Sequence, residues 1–181
     1  MNVNDVVRDA LRPFYAQFTA VGRPSITPEL YLDENLPAIE ADPDLLHKAV
    51  QNLVLNALDA MPGGGTLTIR TRPGSDGGVL FEIADTGEGL TREECERLFT
   101  PYYTTKQHGT GLGLAIVQSV VSDHTAKISV ESEAGHGTTF RIEFPARPAH
   151  AGLATPAHAS AETISQDASE IMKAKSEAVG D

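Results

Sequence analysis

Three glycines in five residues, Gly109, Gly111 and Gly113, stand directly before the apolar run Leu114, Ala115, Ile116, Val117. Glycines that open a helix leave backbone N–H groups and the positive end of the helix dipole aimed at one spot, where a phosphate is well received. Neither familiar phosphate loop has this form. A Walker loop sets its lysine directly after the last glycine, whereas Lys106 precedes the first. The dinucleotide fingerprint is GxGxxG after a strand, and here GxGxG follows a polar loop. The chain must therefore hold its anion within another architecture.

Bulk properties narrow the setting. With 181 residues, 40% hydrophobic and 22% charged, the chain can bury one ordinary core. A formal charge of −11 argues against nucleic acid and against contact with an anionic membrane. A nucleotide would have to be held locally, by a metal, a lysine and backbone amides. The single cysteine, Cys95, excludes an internal disulfide and a cysteine-cluster zinc site, which fits a reducing cytoplasm. The sequence contains no 18-residue apolar run and no signal peptide, so a cytoplasmic domain is expected, whatever anchors its parent protein.

Periodicity orders the elements. Residues 5–19 have apolar positions at helical spacing, with Pro13 expected to kink or shorten the helix. Residues 25–32 read as a strand, placed at an edge by Pro28. Asp42 as N-cap, Pro43 at the first position and Asp44 in the first turn start a helix running to about Ala60. Two strands, 66–72 and 78–85, flank a turn-rich "PGSDG" and predict a hairpin. "TREE", 91–94, is a capping box. A helix from about Gly111 to Asp123 precedes a second antiparallel pair joined by "EAGHG". The expected fold is α+β: a two-layer sandwich with a mixed, mostly antiparallel sheet and helices on one face. Residues 1–146 form the expected domain, and the Ala-rich 147–181, which lacks aromatic residues, reads as a disordered or weakly helical tail.

Three features carry chemistry. Asn52, Asn56 and Asp59 fall at i, i+4 and i+7, forming a polar stripe beside the core stripe of Leu46, Val50, Leu53, Ala57 and Met61. Mid-helix asparagines are commonly solvated surface, but an amide carbonyl is also a hard ligand suited to Mg²⁺. Asp85 ends a strand before "TGEGL", where Gly87 and Gly89 leave room beside it. A carboxylate only accepts hydrogen bonds, so it would choose adenine's exocyclic amine over guanine's carbonyl. "GHGTT", 135–139, supplies another GxG, which alone is a plain hairpin turn.

In order, an Asn helix, DxGxG, "LFTPYYTTK", GTGLGLA and GxGT resemble the ATP-binding catalytic domain of bacterial sensor histidine kinases. That nucleotide fold, the Bergerat or GHKL fold, is shared with Hsp90, MutL and type II topoisomerases. The resemblance covers about residues 1–146, and the short lid between Lys106 and Gly109 is most similar to the nitrogen-regulator type. It implies ATP and Mg²⁺ as cofactors, with Asn56 on the metal and Asn52 supporting it one turn earlier. It implies Asp85 on the adenine amine, with Gly87 and Gly89 admitting the base, and Phe99 and Tyr102 at the lid hinge. Lys106 would neutralise phosphate charge, making Asn52, Asn56 and Lys106 the catalytic set. Thr105, Gly109, Thr110, Gly111, Leu112, Gly113 and Leu114 would wrap the triphosphate, and Thr138 would line the site.

Three departures qualify this resemblance. Asp59 stands where these kinases often carry a basic residue, and "DHTAKI" replaces their common His-Gly-Gly turn. None of His47, His108, His124, His136, His150 or His158 lies in a phosphoacceptor box. The expected partner is therefore a histidine-bearing dimerisation domain on another segment or chain, with a response regulator downstream. Clamp ATPases and anti-sigma serine kinases of this fold use a glutamate where Asn52 stands, and an amide cannot take a proton. A non-catalytic nucleotide-binding module remains as the other reading.

Overall fold

In a computed structural model of the chain, residues 1–18, 25–103 and 111–146 are described. The expectations for Thr105, Lys106, Gly109, Thr110 and the tail 147–181 lie outside the described residues.

The chain opens with α1, Val3–Leu11, capped by the Asn2 side chain. At Pro13 the helix gives way to a 3₁₀ turn, Arg12–Phe14, and then a single turn, α2, Tyr15–Phe18. The proline's missing N–H explains the interruption. Strand β1 is Ile26–Leu32, and α3 is Pro43–Ala60, whose Asp42 cap accepts from the N–H groups of Asp44 and Leu45. Then come β2, Gly65–Pro73; β3, Val79–Asp85; α4, Arg92–Arg97; α5, Gly113–Asp123; β4, Lys127–Glu133; and β5, Gly137–Phe144.

The strands form one sheet in the order β1-β2-β3-β5-β4. Only β1–β2 is parallel; the other three pairs are antiparallel. Strand β1 is an edge, as its proline requires. Alternation sends Leu67, Ile69, Phe81, Ile83, Phe140 and Ile142 to the buried face, against Leu46, Val50, Leu53, Val54 and Ala57 of α3. Helix α3 packs between α1 and α5 and touches β3. It is the central helix, with one long side in the core and the side bearing Asn52 and Asn56 left beside α5.

One buried polar cluster joins the layers. Asn4, fully buried on α1, donates from Nδ2 to the Asp33 carbonyl at 2.8 Å and accepts from the Thr71 hydroxyl at 2.7 Å. Thr71 Oγ1 in turn accepts from the Asp33 N–H at 3.2 Å. This closes the ends of β1 and β2 onto α1. Removing Asn4 would strand a buried hydroxyl and a carbonyl, at a cost of about 1–3 kcal/mol. Asn4→Ala is therefore expected to lower the urea midpoint, by that free energy divided by the slope of the transition, without changing the slope itself. An unchanged midpoint would show that water replaces the amide without loss.

Candidate functional site

A cavity of about 280 Å³ opens between α3, α5 and the ends of β3 and β5. Asn52, Leu55, Asn56 and Asp59 line it from α3, and Gly113 and Leu114 from the start of α5. Asp85, Gly89, Leu90, Thr138 and Phe140 line the sheet side. Leu98 and Tyr103 line it from the segment after α4, and Gly111 completes the wall. The polar stripe read from helical spacing is thus one wall of the cavity, and the strand-terminal aspartate faces the same space.

Asp85 is held by backbone. Its Oδ1 accepts from the N–H of Gly87 at 2.9 Å and of Thr138 at 3.3 Å. Among the described residues no hydrogen bond reaches Oδ2. Burial pushes the carboxyl above its ordinary range, and the two N–H groups only partly offset this. Leu90, Leu98 and Phe140 give the sheet end of the cavity an apolar lining around one unused acceptor.

On the facing wall, Asn52 donates from Nδ2 to the Lys48 carbonyl at 2.9 Å, one turn back. That bond commits the amide nitrogen and leaves Oδ1 toward α5. A Cβ added to Gly113 would lie 3.0 Å from this Oδ1, so the helix start approaches α3 as closely as a glycine allows. The N-cap of α5 is Leu112, whose side chain has no oxygen with which to cap the first turn.

The loop glycines serve backbone contacts. A Cβ on Gly87 would strike the Ala60 carbonyl, and the next residue, Glu88, donates its N–H to that same oxygen at 2.9 Å. Gly89, with φ +65°, faces the Glu133 carbonyl, and Gly137, with φ +92°, faces that of Asp85. Their small size lets loop, hairpin and helix close on one another. Gly111, φ +67°, lies against the Tyr102 backbone and accepts its N–H at 3.0 Å.

Of the residues expected at the site, Asn52, Asn56, Asp85, Gly89, Gly111, Gly113, Leu114 and Thr138 share this cavity. Gly87, Phe99 and Leu112 do not line it. Tyr102 is 77% exposed and contributes backbone, while its neighbour Tyr103 faces the cavity beneath the Arg97 guanidinium, 4.2 Å from its ring centre. Sequence reading missed Leu55, Leu90, Leu98, Tyr103, Phe140 and Ser132. Ser132 has its hydroxyl among Leu90, Gly137 and Thr138. Its signal was a polar residue on the inward row of β4, in step with Ile128 and Val130.

Over residues 41–148 the chain matches the family described as histidine kinase-, DNA gyrase B-, and HSP90-like ATPase. The chain belongs to this family. Among curated proteins it is 36% identical over 154 residues to the sensor histidine kinase ZraS of Salmonella typhi, covering 80% of this chain and 30% of that protein. It is 34% identical to sporulation kinase E of Bacillus subtilis, over 81% of this chain and 19% of that one. The chain thus spans less than a third of the length of either relative. The catalytic domain of histidine kinase ThkA superposes with a TM-score of 0.71 at 29% identity, covering 82% of this chain and 95% of that one. Full-length ShkA, solved in complex with AMPPNP, gives 0.69 at 26% identity, over 80% of this chain and 30% of that one. As a member of an ATPase family the chain has a nucleotide-binding fold, and its five-stranded sheet with helices is that of these catalytic domains.

In this ATPase-type domain the raised Asp85 carboxyl has a consequence for stability. The folded state binds its proton more tightly than the unfolded chain does. The carboxyl's contribution to stability is thus most favourable at acid pH and declines as pH rises from the unfolded value of 3.8 through the raised folded value. At neutral pH the ionised group is a burden on the ligand-free domain. Asp85→Asn keeps an oxygen for the Gly87 and Thr138 N–H groups and removes the charge. It is expected to leave the ligand-free melting temperature at pH 7 unchanged or raised, and to weaken ADP binding by about 10-fold or more, the worth of a charge-assisted hydrogen bond. A large fall in melting temperature would show that the charge itself holds the loop.

Proposed function

We propose that this chain is the Mg·ATP-binding catalytic module of a two-component sensor histidine kinase, which donates the γ-phosphoryl to a histidine on a dimerisation domain. The observation that carries this is the pairing within one cavity of an acceptor-only carboxylate at an apolar end and an asparagine wall facing a helix start. ZraS, 36% identical to this chain, is a sensor histidine kinase, and the AMPPNP bound to ShkA supports a nucleotide as the ligand here.

In this reading Asp85 Oδ2 accepts from the adenine 6-amino group, and Thr138 stands beside it. The triphosphate runs toward Gly111, Gly113 and the α5 N-terminus, whose backbone N–H groups and dipole favour an anion. Lys106 is assigned to phosphate neutralisation, and Thr105, Gly109 and Thr110 to the wrapping of the triphosphate. Among the described residues no three His, Cys, Asp or Glu side chains converge as a metal-binding group. A divalent ion here would take most of its oxygens from phosphate and water, which is the habit of Mg²⁺, and the Asn56 amide oxygen fits as its protein ligand. Such an ion would supply charge neutralisation as the terminal P–O bond loosens.

What the chain itself contributes is position: the ends of β3 and β5 hold the base, α3 and the start of α5 hold the phosphate end, and transfer needs little covalent help from the protein. Asn52 offers the cavity an amide oxygen that cannot take a proton from water, which favours transfer over hydrolysis. In the transfer the γ-phosphorus leaves its bridging oxygen on ADP and bonds to an imidazole nitrogen of the acceptor. The response regulator acts downstream of that phosphohistidine. The tail 147–181 is proposed to lie outside the catalytic domain. Among the described residues no helix is long and apolar enough to cross a membrane.

Two measurements test this. Asn56→Ala is expected to weaken ATP binding about 10-fold or more in Mg²⁺ and hardly at all in EDTA; equal losses in both would remove Asn56 from the metal. Alone with Mg·ATP the domain is expected to release phosphate only at a trace rate. With the histidine-bearing domain of its own kinase it is expected to give an acid-labile, alkali-stable label. Brisk phosphate release without a partner would support a clamp ATPase, and binding without transfer to the matched acceptor a regulatory module.

A further inference from the structure

The hydroxyl of Ser132 on β4 has three polar neighbours, and their chemistry fixes every hydrogen in the group. The Leu90 N–H donates to Ser132 Oγ at 2.8 Å, Gly137 O lies 2.8 Å away, and Thr138 Oγ1 lies 2.9 Å away. A hydroxyl has one hydrogen to give and two lone pairs to offer. The Gly137 carbonyl can only accept, so the Ser132 hydrogen lies on it; otherwise two bare oxygens would face each other at hydrogen-bond distance. Leu90 takes one lone pair of Ser132. The contact with Thr138 is then a hydrogen bond only if Thr138 gives its own hydrogen to the remaining one.

Thr138 Oγ1 is left with lone pairs alone. Thr138 is 6% exposed and lines the cavity beside Asp85, to whose Oδ1 its N–H donates. Asp85 Oδ1 is filled by two N–H groups, and Oδ2 is a second acceptor. The sheet end of the cavity thus presents acceptors from two side chains and a donor from neither.

Building on the reading of this cavity as a nucleotide site, we propose that Ser132 is a positioning residue for base selection. By taking the Thr138 hydrogen it makes the base end acceptor-only, and so selects a 6-aminopurine over a 6-oxopurine. A 6-oxopurine carries an acceptor at O6 and a donor at N1. Its N1–H can satisfy Asp85, but its O6 needs a donor nearby. Thr138 could be that donor if its hydrogen were released, and Ser132 prevents this. A site whose buried polar groups are mismatched rejects the wrong ligand strongly.

The test compares ADP with inosine diphosphate, which differs only at the 6-position and N1, by calorimetry at fixed Mg²⁺. The unaltered domain is expected to bind ADP at least about 10-fold more tightly than inosine diphosphate. Ser132→Ala should bring that ratio close to one, chiefly by improving inosine diphosphate, and Ser132→Thr, which keeps the hydroxyl, should preserve it. Ser132→Cys, with a weak sulfur acceptor in similar space, should relax the ratio as alanine does, and serves if the alanine variant fails to fold. A purely structural Ser132 would weaken both ligands equally and leave the ratio unchanged in both variants; that result overturns the proposal, as does loss of selectivity in Ser132→Thr. If instead the unaltered domain binds neither nucleotide, or Asp85→Ala keeps its full preference for ADP, the nucleotide reading of the cavity itself falls.

Discussion

A single carboxylate oxygen organises the cavity end of this domain. Asp85 Oδ1 accepts N–H groups from Gly87, in the loop that follows, and from Thr138, on a strand 53 positions away. Those two bonds set how loop and hairpin leave the sheet, and the neighbouring contacts follow. Glu88 donates to the last carbonyl of α3, Gly135 donates to the Glu88 carbonyl, and Leu90 donates to Ser132. At Gly87, Gly89 and Gly137 the approach is backbone against backbone, so these positions tolerate no Cβ. Hydrogen bonds to a charged acceptor are worth about 1.5–3 kcal/mol each, which is what holds a desolvated carboxylate in place.

The same group makes the empty domain less stable than it could be, a familiar compromise at sites built to bind. It also fixes the cavity's electrostatic character. The charged residues lining it among those described are Asp59, Asp85 and Glu94, all acidic, in a chain of net charge −11. Glu94 is occupied in the capping box of α4, where it accepts from the Thr91 N–H and hydroxyl. A polyanion entering such a space cannot be held by the charge of these walls. In the proposed reading, helix α5, a divalent ion and Lys106 provide the compensation, and Asp59 would sit where a basic side chain could otherwise serve.

Much of this arrangement was legible in the sequence because local rules and tertiary packing agree. Asp42, Pro43 and the 3.6 period give α3 within a residue, Pro13 interrupts α1 where expected, and strand alternation separates the two faces of the sheet. Asn52 and Asn56 could be placed on one wall because helical geometry fixes their spacing, whatever packs opposite. Asn4 gave no such signal. It lies on an amphipathic helix, and only the long-range return of Thr71 and Asp33 makes it a core residue. The glycines of the DxGxG loop were legible as small but not for their true neighbours, since nothing local says that the Ala60 and Glu133 carbonyls approach them. Tyr103 rather than Tyr102 faces the cavity because Tyr102 adopts φ 64°, a conformation sequence pattern does not announce.

The turn after α5 carries the last piece of positional control. Its sequence lacks the glycine pair expected of related turns, yet Thr125 adopts φ 51° and supplies the left-handed residue itself. His124 explains what holds it there. Its Nε2 accepts from the Asp42 N–H at 2.8 Å, so Nδ1 carries the hydrogen and donates it to the Val120 carbonyl at 2.6 Å. The C-terminal end of α5 is therefore fastened to the N-cap of α3, while its N-terminal end rests with Gly113 against Asn52. On either helix these two contacts lie roughly 15 Å apart at about 1.5 Å of rise per residue, so antiparallel helices meet both in register. Two fixed points define the direction of α5. Its N-terminus is thus aimed at the cavity by contacts with α3.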